Sequence, residues 1–265
     1  MSDYETITLA SDQRGVARLT LNQPETRNAM SPQLVRELAA ACRQLDEDEL
    51  VRVVVLTGAG KVFCAGGDLK NFRRQAEATR ESRIGDATAF AQMLADLNQL
   101  SKPLIGRIDG SAYGGGLGLI SVCDISIGVS TAEFRLTEVT LGLIAATISP
   151  YVVARMGVAG ARRVMLNAHR MDADEALRLG LLQAVVEPQG LDAAVECEID
   201  KFLKCAPEAV ANSKKLIHFV STHGKQDNIE YTAKVLADSW EAAEIQEGVD
   251  AFLGKRRPDW DLSAE

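Results

Sequence analysis

Cysteine, histidine and long apolar runs are all scarce in this chain of 265 residues, and each shortage closes off a class of protein. The five cysteines, Cys42, Cys64, Cys123, Cys197 and Cys205, are odd in number and widely spaced, no CxxC occurs, and only three histidines are available as co-ligands. That usage predicts buried free thiols in a reducing compartment, and it argues against a disulfide framework or a structural zinc site. No uninterrupted apolar run reaches the ~20 residues of a membrane span. Residues 1–9 are polar and acidic and do not read as a signal peptide, so a cytoplasmic protein without membrane partners is expected. Basic residues are also in the minority, 29 against 37 acidic, for a formal charge of −8. Such a surface repels a polyphosphate backbone and makes nucleic acid an unexpected partner. A small ligand carrying phosphates stays open, because a local basic patch suffices for it. With 46% hydrophobic and 25% charged residues, the rest is ordinary globular composition, long enough for a substantial core.

Strands and helices alternate through the first half. Residues 6–9 and 16–21 read as paired strands around a polar turn at residues 12–15. Ser31-Pro32 is an N-cap followed by proline at the first helical position, and Leu34, Val35, Leu38, Cys42 and Leu45 recur at helical spacing. Residues 51–56 form a β-branched run of the kind buried on both faces of a sheet. Residues 68–100 read as mostly helical, with a loose polar stretch at 75–86. Strands follow at 104–108, 124–129 and 181–186, with an apolar helix after the glycine cluster, running through Leu119, and helix again from 149 onward. Recurring strand–strand–helix units predict parallel pairing with helical crossovers. Beyond residue 188 the β-rich runs stop, and amphipathic helices are expected at 191–203, 207–220 and 228–243. Helices with no sheet to pack on suggest an extension that covers a neighbouring surface. The chain divides accordingly into a core at 1–190 and a helical oligomerisation region at 191–265.

Three segments stand out, each directly after a predicted strand. They are Val62-Phe63-Cys64-Ala65-Gly66-Gly67-Asp68-Leu69, Gly114-Gly115-Gly116-Leu117-Gly118, and Phe134-Arg135-Leu136-Thr137-Glu138. Small residues at a strand-to-helix turn let a ligand approach the backbone, with N–H groups pointing outward. Two such N–H groups from separate loops can converge on one oxygen, an oxyanion hole suited to a thioester carbonyl that becomes an enolate. The plainer reading is that these glycines only permit tight turns and close packing. Nucleotide readings fit poorly: Gly58-Ala59-Gly60-Lys61 lacks the spaced first glycine and the Ser/Thr of a P-loop, and residues 114–118 do not spell the dinucleotide fingerprint. Glu138 is either a helix N-terminal acid or a catalytic carboxyl whose apolar surroundings raise its proton affinity.

In order and spacing the three segments resemble the crotonase (enoyl-CoA hydratase/isomerase) superfamily. The resemblance extends from Asn22-Gln23-Pro24 and Arg27-Asn28-Ala29-Met30, through Cys123-Asp124-Ile125, Leu141-Gly142-Leu143, Ala176 and Gly180-Leu181-Leu182, to Ala251-Phe252-Leu253-Gly254-Lys255-Arg256. It implies an α/β spiral of ββα repeats followed by a C-terminal helical trimerisation region, in a homotrimer or dimer of trimers. It implies an acyl-CoA thioester as ligand, with CoA arriving as part of the substrate, no further cofactor and no metal. The oxyanion donors would be the N–H groups of Gly67 and Gly115, and Glu138 the acid–base. Ala65 falls where the family's backbone meets the CoA adenine, and Asp68, in the same loop, is a further candidate for substrate binding. Phe252 and Lys255 match C-terminal positions that contact CoA. Read alone, the trio Lys255, Arg256 and Arg257 is equally a solvated helix end.

One departure stands out. Many hydratases of this family place a second glutamate where this chain has Gly118, so the resemblance implies one carboxylate serving both proton transfers. Ala146 matches a position whose N–H holds the water in two-glutamate members. Residues 141–153 are similar to a hydratase branch acting on methylglutaconyl-CoA and isohexenylglutaconyl-CoA, in leucine and acyclic-terpene breakdown. The small Ala145-Ala146 pair favours the longer isohexenylglutaconyl ester, and Arg73 and Arg74 are candidate partners for its second carboxylate. A one-glutamate Δ3,Δ2-enoyl-CoA isomerase and a non-catalytic CoA-ester-binding scaffold are the alternatives.

Overall fold

The computed structural model describes residues 4–264; residues 1–3, part of the N-terminal stretch read above, and residue 265 lie outside it. In chain order the elements are β1 (Ile7–Ser11), β2 (Val16–Leu21), α1 (Pro32–Glu47), β3 (Val53–Gly58), β4 (Val62–Cys64), α2 (Leu69–Glu77), α3 (Arg80–Gln99) and β5 (Leu104–Ile108). There follow β6 (Ser111–Tyr113), α4 (Gly115–Ser121), β7 (Ile125–Val129), β8 (Glu133–Arg135), α5 (Ser149–Met165), β9 (Met171–Asp172), α6 (Ala173–Arg178) and β10 (Ala184–Val186). The chain ends in α7 (Leu191–Leu203), α8 (Pro207–Thr222), α9 (Lys225–Glu241) and α10 (Ala243–Gly254).

Two sheets form, in the orders β1-β2-β3-β5-β7-β10 and β4-β6-β8-β9. Each of the pairs β3/β4, β5/β6 and β7/β8 gives a longer strand to the first sheet and a short one to the second before the chain returns. This is the ββα spiral. Parallel pairing of β2, β3, β5, β7 and β10 follows from the crossovers, and β1 joins β2 antiparallel through the tight turn at Gly15. All six residues of β3 are buried, as its β-branched run demands. Ser31 caps α1, its hydroxyl accepting the Leu34 N–H at 3.1 Å, and Leu34, Leu38, Ala41, Cys42 and Leu45 carry the helix onto the sheet.

The edge strand β1 is held by a buried acid. Glu37, 6% exposed on α1, accepts the N–H groups of Glu5 (3.0 Å) and Thr6 (2.8 Å), the Thr6 hydroxyl (2.6 Å) and the Gln33 amide (2.6 Å). Burial alone would raise its pKa, but these donors outweigh it and hold the carboxyl below its ordinary value. Its contribution to stability is therefore present above the ordinary glutamate range and lost as pH falls through the lowered value. Glu37→Gln should cost about 2 kcal/mol at neutral pH. The gap to the parent should shrink under acid, as checked by urea unfolding across pH.

Several sequence expectations are corrected. Residues 75–86 are not loose. α2 runs to Glu77, Thr79 caps α3 by accepting the Ser82 N–H, and Arg83 donates to the carbonyls of Gln75 and Ala76. The last strand begins at Ala184 rather than 181. The N–H groups of Leu181 and Leu182 instead bond the Ala176 carbonyl, closing α6 around Gly180 in its left-handed conformation (φ +81°). Four helices, not three, follow residue 190. Cys42, Cys64 and Cys123 are buried free thiols that burial pushes up to about 12, 11 and 12 respectively, but Cys197 and Cys205 are exposed. No helix among the described residues is long and apolar enough to cross a membrane.

Candidate active site

The three sequence segments are brought together by the register of the second sheet. β4 pairs in parallel with β6 (Cys64 opposite Ala112), and β6 with β8 (Ala112 opposite Phe134, Tyr113 opposite Arg135). Parallel neighbours end on the same side. Gly66-Gly67 after β4, Gly114-Gly115 after β6 and Glu138, three residues past β8, therefore emerge next to one another.

Backbone touches backbone at their junction. Gly66 has φ +82°, and a Cβ there would lie 2.8 Å from the Tyr113 carbonyl oxygen. Gly114 has φ +49°, and a Cβ there would lie 3.1 Å from Glu138 Oε1 and 3.6 Å from the Gly66 Cα. Only glycine combines that conformation with that approach. Among the described residues, neither the Gly67 N–H nor the Gly115 N–H donates to a protein acceptor, whereas the adjoining Gly114 N–H bonds the Arg135 carbonyl. Glu138 starts a 3₁₀ turn (Glu138–Leu141). Its Oε2 is buried with no hydrogen-bond partner among the described residues. Burial raises its pKa, against the lowering pull of its own and the Thr137 N–H groups.

The walls are apolar. The Phe72 ring tip lies 2.4 Å from where a Gly67 Cβ would stand; Phe90 and Met30 meet that of Gly115 at 3.2 and 3.8 Å; Ile148 and Leu94 meet that of Gly118 at 2.4 and 3.7 Å.

Asn28 is a residue that sequence reading left without a role. It is fully buried, and its amide donates to the carbonyls of Ala59 (2.9 Å), Val62 (3.0 Å) and Phe63 (3.2 Å) while accepting the Gln23 N–H (2.9 Å). Around it, the Ala65 N–H bonds the Arg27 carbonyl, the Met30 N–H the Gly66 carbonyl, and the Asp68 N–H the Met30 carbonyl. The first glycine loop is thereby clamped on both sides. Asparagine tolerates the left-handed φ of +55° found here. Asn28→Ala, which orphans buried carbonyls, should lose about 3 kcal/mol in urea unfolding.

The other sequence-predicted residues are distributed more widely. Asp68 is the N-cap of α2, accepting the Asn71 N–H at 2.8 Å. Ala65 sits at the loop's half-buried shoulder. The Ala146 N–H donates to the Ile144 carbonyl at 2.9 Å. Arg74 is engaged by Asp86 and Asn71, and Arg73 is exposed. Phe252, 83% exposed, lies on α10, and Lys255 follows it with φ +53°. Lys255 has no ion pair among the described residues, whereas Arg256 pairs with Glu247 at 2.6 Å and Arg257 approaches Asp261 at 3.8 Å.

Two glycine turns with unengaged N–H groups beside a buried carboxyl, on a ββα spiral, are an arrangement that could stabilise an enolate while moving protons next to it. Comparison identifies the family. The enoyl-CoA hydratase/isomerase family matches residues 11–262, and the chain belongs to it, within the crotonase superfamily, as an enzyme of the enoyl-CoA hydratase type. Among solved structures, Pseudomonas aeruginosa AtuE superposes with a TM-score of 0.94 at 37% identity, covering 97% of this chain and 100% of that one. Enoyl-CoA hydratase ACTT6 of Alternaria alternata is 34% identical over 255 residues, 94% of this chain and 82% of that protein. The mitochondrial Delta(3,5)-Delta(2,4)-dienoyl-CoA isomerase of Mus musculus is 32% identical over 271 residues, 96% of this chain and 81% of that protein. Hydratases of the superfamily need no cofactor beyond the CoA carried by the substrate.

Proposed function

We propose that the chain adds water across the double bond of a branched 2-enoyl-CoA, with Glu138 as its one acid–base group. The thioester oxygen accepts the N–H groups of Gly67 and Gly115. Glu138 takes a proton from water as the water oxygen bonds to the β-carbon, and the thioester becomes an enolate. The same carboxyl then delivers a proton to the α-carbon, which regenerates the carboxylate. The observation that carries this reading is the buried Oε2 of Glu138, without a partner among the described residues, beside two glycine loops whose Gly67 and Gly115 N–H groups have no acceptor among those residues. Ala65 and Asp68 border the CoA path in this reading, Lys255 contributes charge for its phosphates, and Phe252 contributes apolar contact. Gly118 and Ala146 border the acyl end.

Isohexenylglutaconyl-CoA is the substrate we favour over methylglutaconyl-CoA, supported by the small Ala145-Ala146 pair. Arg73, exposed and outside the Arg74–Asp86 pair, is the remaining cation for a distal carboxylate. Loss of the ultraviolet enoyl-thioester absorbance tests the reaction with crotonyl-CoA and both branched esters. Turnover of the branched esters is expected, with preference for the longer one; preference for the shorter ester would defeat the substrate choice. The isomerase reading is favoured by one observation, the apolar filling beside Gly118 that leaves a single carboxyl; turnover of 3-enoyl but not 2-enoyl esters would select it. Binding without turnover would leave only a scaffold.

Residues 191–265 serve as the oligomerisation region in this proposal. Neither α8 nor α9 has a buried residue, while Ile217, Leu236, Trp240, Phe252 and Leu253 are all more than 60% exposed. Helices this apolar and this open are covered in a homotrimer or a dimer of trimers, a stoichiometry that light scattering reads directly.

A further inference from the structure

Gly118 lies on α4 one helical turn beyond Gly115 and therefore on the same face. A Cβ at position 118 would stand 2.4 Å from Ile148 Cγ2 and 3.0 Å from Ile148 Cβ. Ile148 is 2% exposed and stiff, because both atoms belong to its β-branch. Its backbone is held at the start of α5 (φ −88°, ψ −16°). Neither atom is the far end of a flexible chain, so the branch cannot easily swing away. Along this face the atoms met are those of Phe90, Met30, Leu94 and Ile148, all apolar. Among the described residues nearest these glycines, the carboxyl that meets the loop is that of Glu138, at Gly114.

We propose that Ile148 is a specificity-determining residue that fills the volume beside Gly118 and thereby confines proton transfer to Glu138. The inference rests on the hydration reading of the site and names what makes it a one-carboxyl site. Side chains at 118 and 148 are then coupled by size: either the branch of Ile148 or a proton-carrying side chain at 118 occupies this space, not both. With the branch in place, the proton that leaves water and the proton that reaches the α-carbon pass through the same carboxyl in turn. Neither step needs a co-reactant beyond substrate and water.

Four variants of the full chain test this: Gly118→Glu, Ile148→Gly, the two together, and Gly118→Gln with Ile148→Gly. Glycine at the N-cap of α5 is well tolerated by the backbone. Gly118→Glu alone should melt on the order of 5–10 °C below the parent, as expected for overpacking a buried site. Adding Ile148→Gly should restore most of that loss. The rate–pH profile of the double variant that joins Gly118→Glu to Ile148→Gly should gain an ionisation that the parent lacks. The double variant with Gly118→Gln should regain stability without it. Gly118→Glu melting with the parent, no recovery on adding Ile148→Gly, or a folded Gly118→Glu double variant without the new ionisation would each overturn the proposal. A parent that turns over no enoyl-CoA would sink the hydration reading, whereas the melting comparison would still decide the packing claim.

Discussion

Glu138→Gln lowers kcat by ~10² or more while affinity for the CoA ester stays nearly unchanged, since one positioned acid–base group is typically worth 10²–10⁴ in rate. The amide keeps the shape of the carboxyl and its place against Gly114, so binding contacts survive. It cannot take a proton from water and hand it on. In the proposed mechanism the active form is the carboxylate, and burial raises the Glu138 pKa from its ordinary value. Activity should therefore fall as pH drops through that raised value, and the residual activity of Glu138→Gln should lack this limb. Folding separates from catalysis by sign. A carboxyl whose folded pKa is raised costs stability above that pKa, where the buried group is charged. The glutamine variant should accordingly melt no lower than the parent at neutral pH. A variant that is both inactive and clearly less stable would mean that Glu138 is structural.

Gly67→Val should lose ~10²–10³ in kcat, about 3 kcal/mol of transition-state stabilisation, with a smaller change in the Michaelis constant. The reason is local geometry. A Cβ at 67 would stand 2.4 Å from the tip of the Phe72 ring, so a branched valine there must push the ring aside or shift the loop. The loop cannot rotate away, because the Gly66 carbonyl accepts the Met30 N–H at 2.6 Å and the Asp68 N–H reaches the Met30 carbonyl at 3.4 Å. A shift of the loop would displace the Gly67 N–H from the thioester oxygen it is proposed to bind. Phe72→Ala in a Gly67→Ala background should recover part of the rate, since it removes the collision and leaves the donor. Full activity of Gly67→Val, measured by the same absorbance assay, would mean that this N–H is not an oxyanion donor.

Legibility in the sequence tracked range. Ser31-Pro32 announced α1 because a cap and a fixed proline φ act within one turn. The buried strand β3 was readable from its own β-branched run. The strands β4, β6 and β8, three residues each, carry no periodicity and were not foreseen, although their pairing is what sets Gly67, Gly115 and Glu138 side by side. The helical character of residues 68–100 was legible, but the anchoring of the polar stretch at 75–86 was not, because it depends on Arg83 and Asp86 reaching back to α2. The exposure of Cys197 depends on which face of α7 meets the sheets, which amphipathic spacing alone left open, and that of Cys205 on the turn between α7 and α8.

By itself, the sequence determined the alternation of long buried strands with helices, the two glycine turns and the acid at Glu138, because each is written in residue type and short-range spacing, and its ordered motifs carried the resemblance to the enoyl-CoA hydratase/isomerase family. Only the tertiary structure decided that Asn28 clamps the first loop, that Glu138 keeps a buried oxygen without a partner, and that Ile148 stands where a side chain at 118 would go. Those are contacts between segments up to 35 residues apart in the chain. Sheet register and burial create them, and no local pattern encodes them.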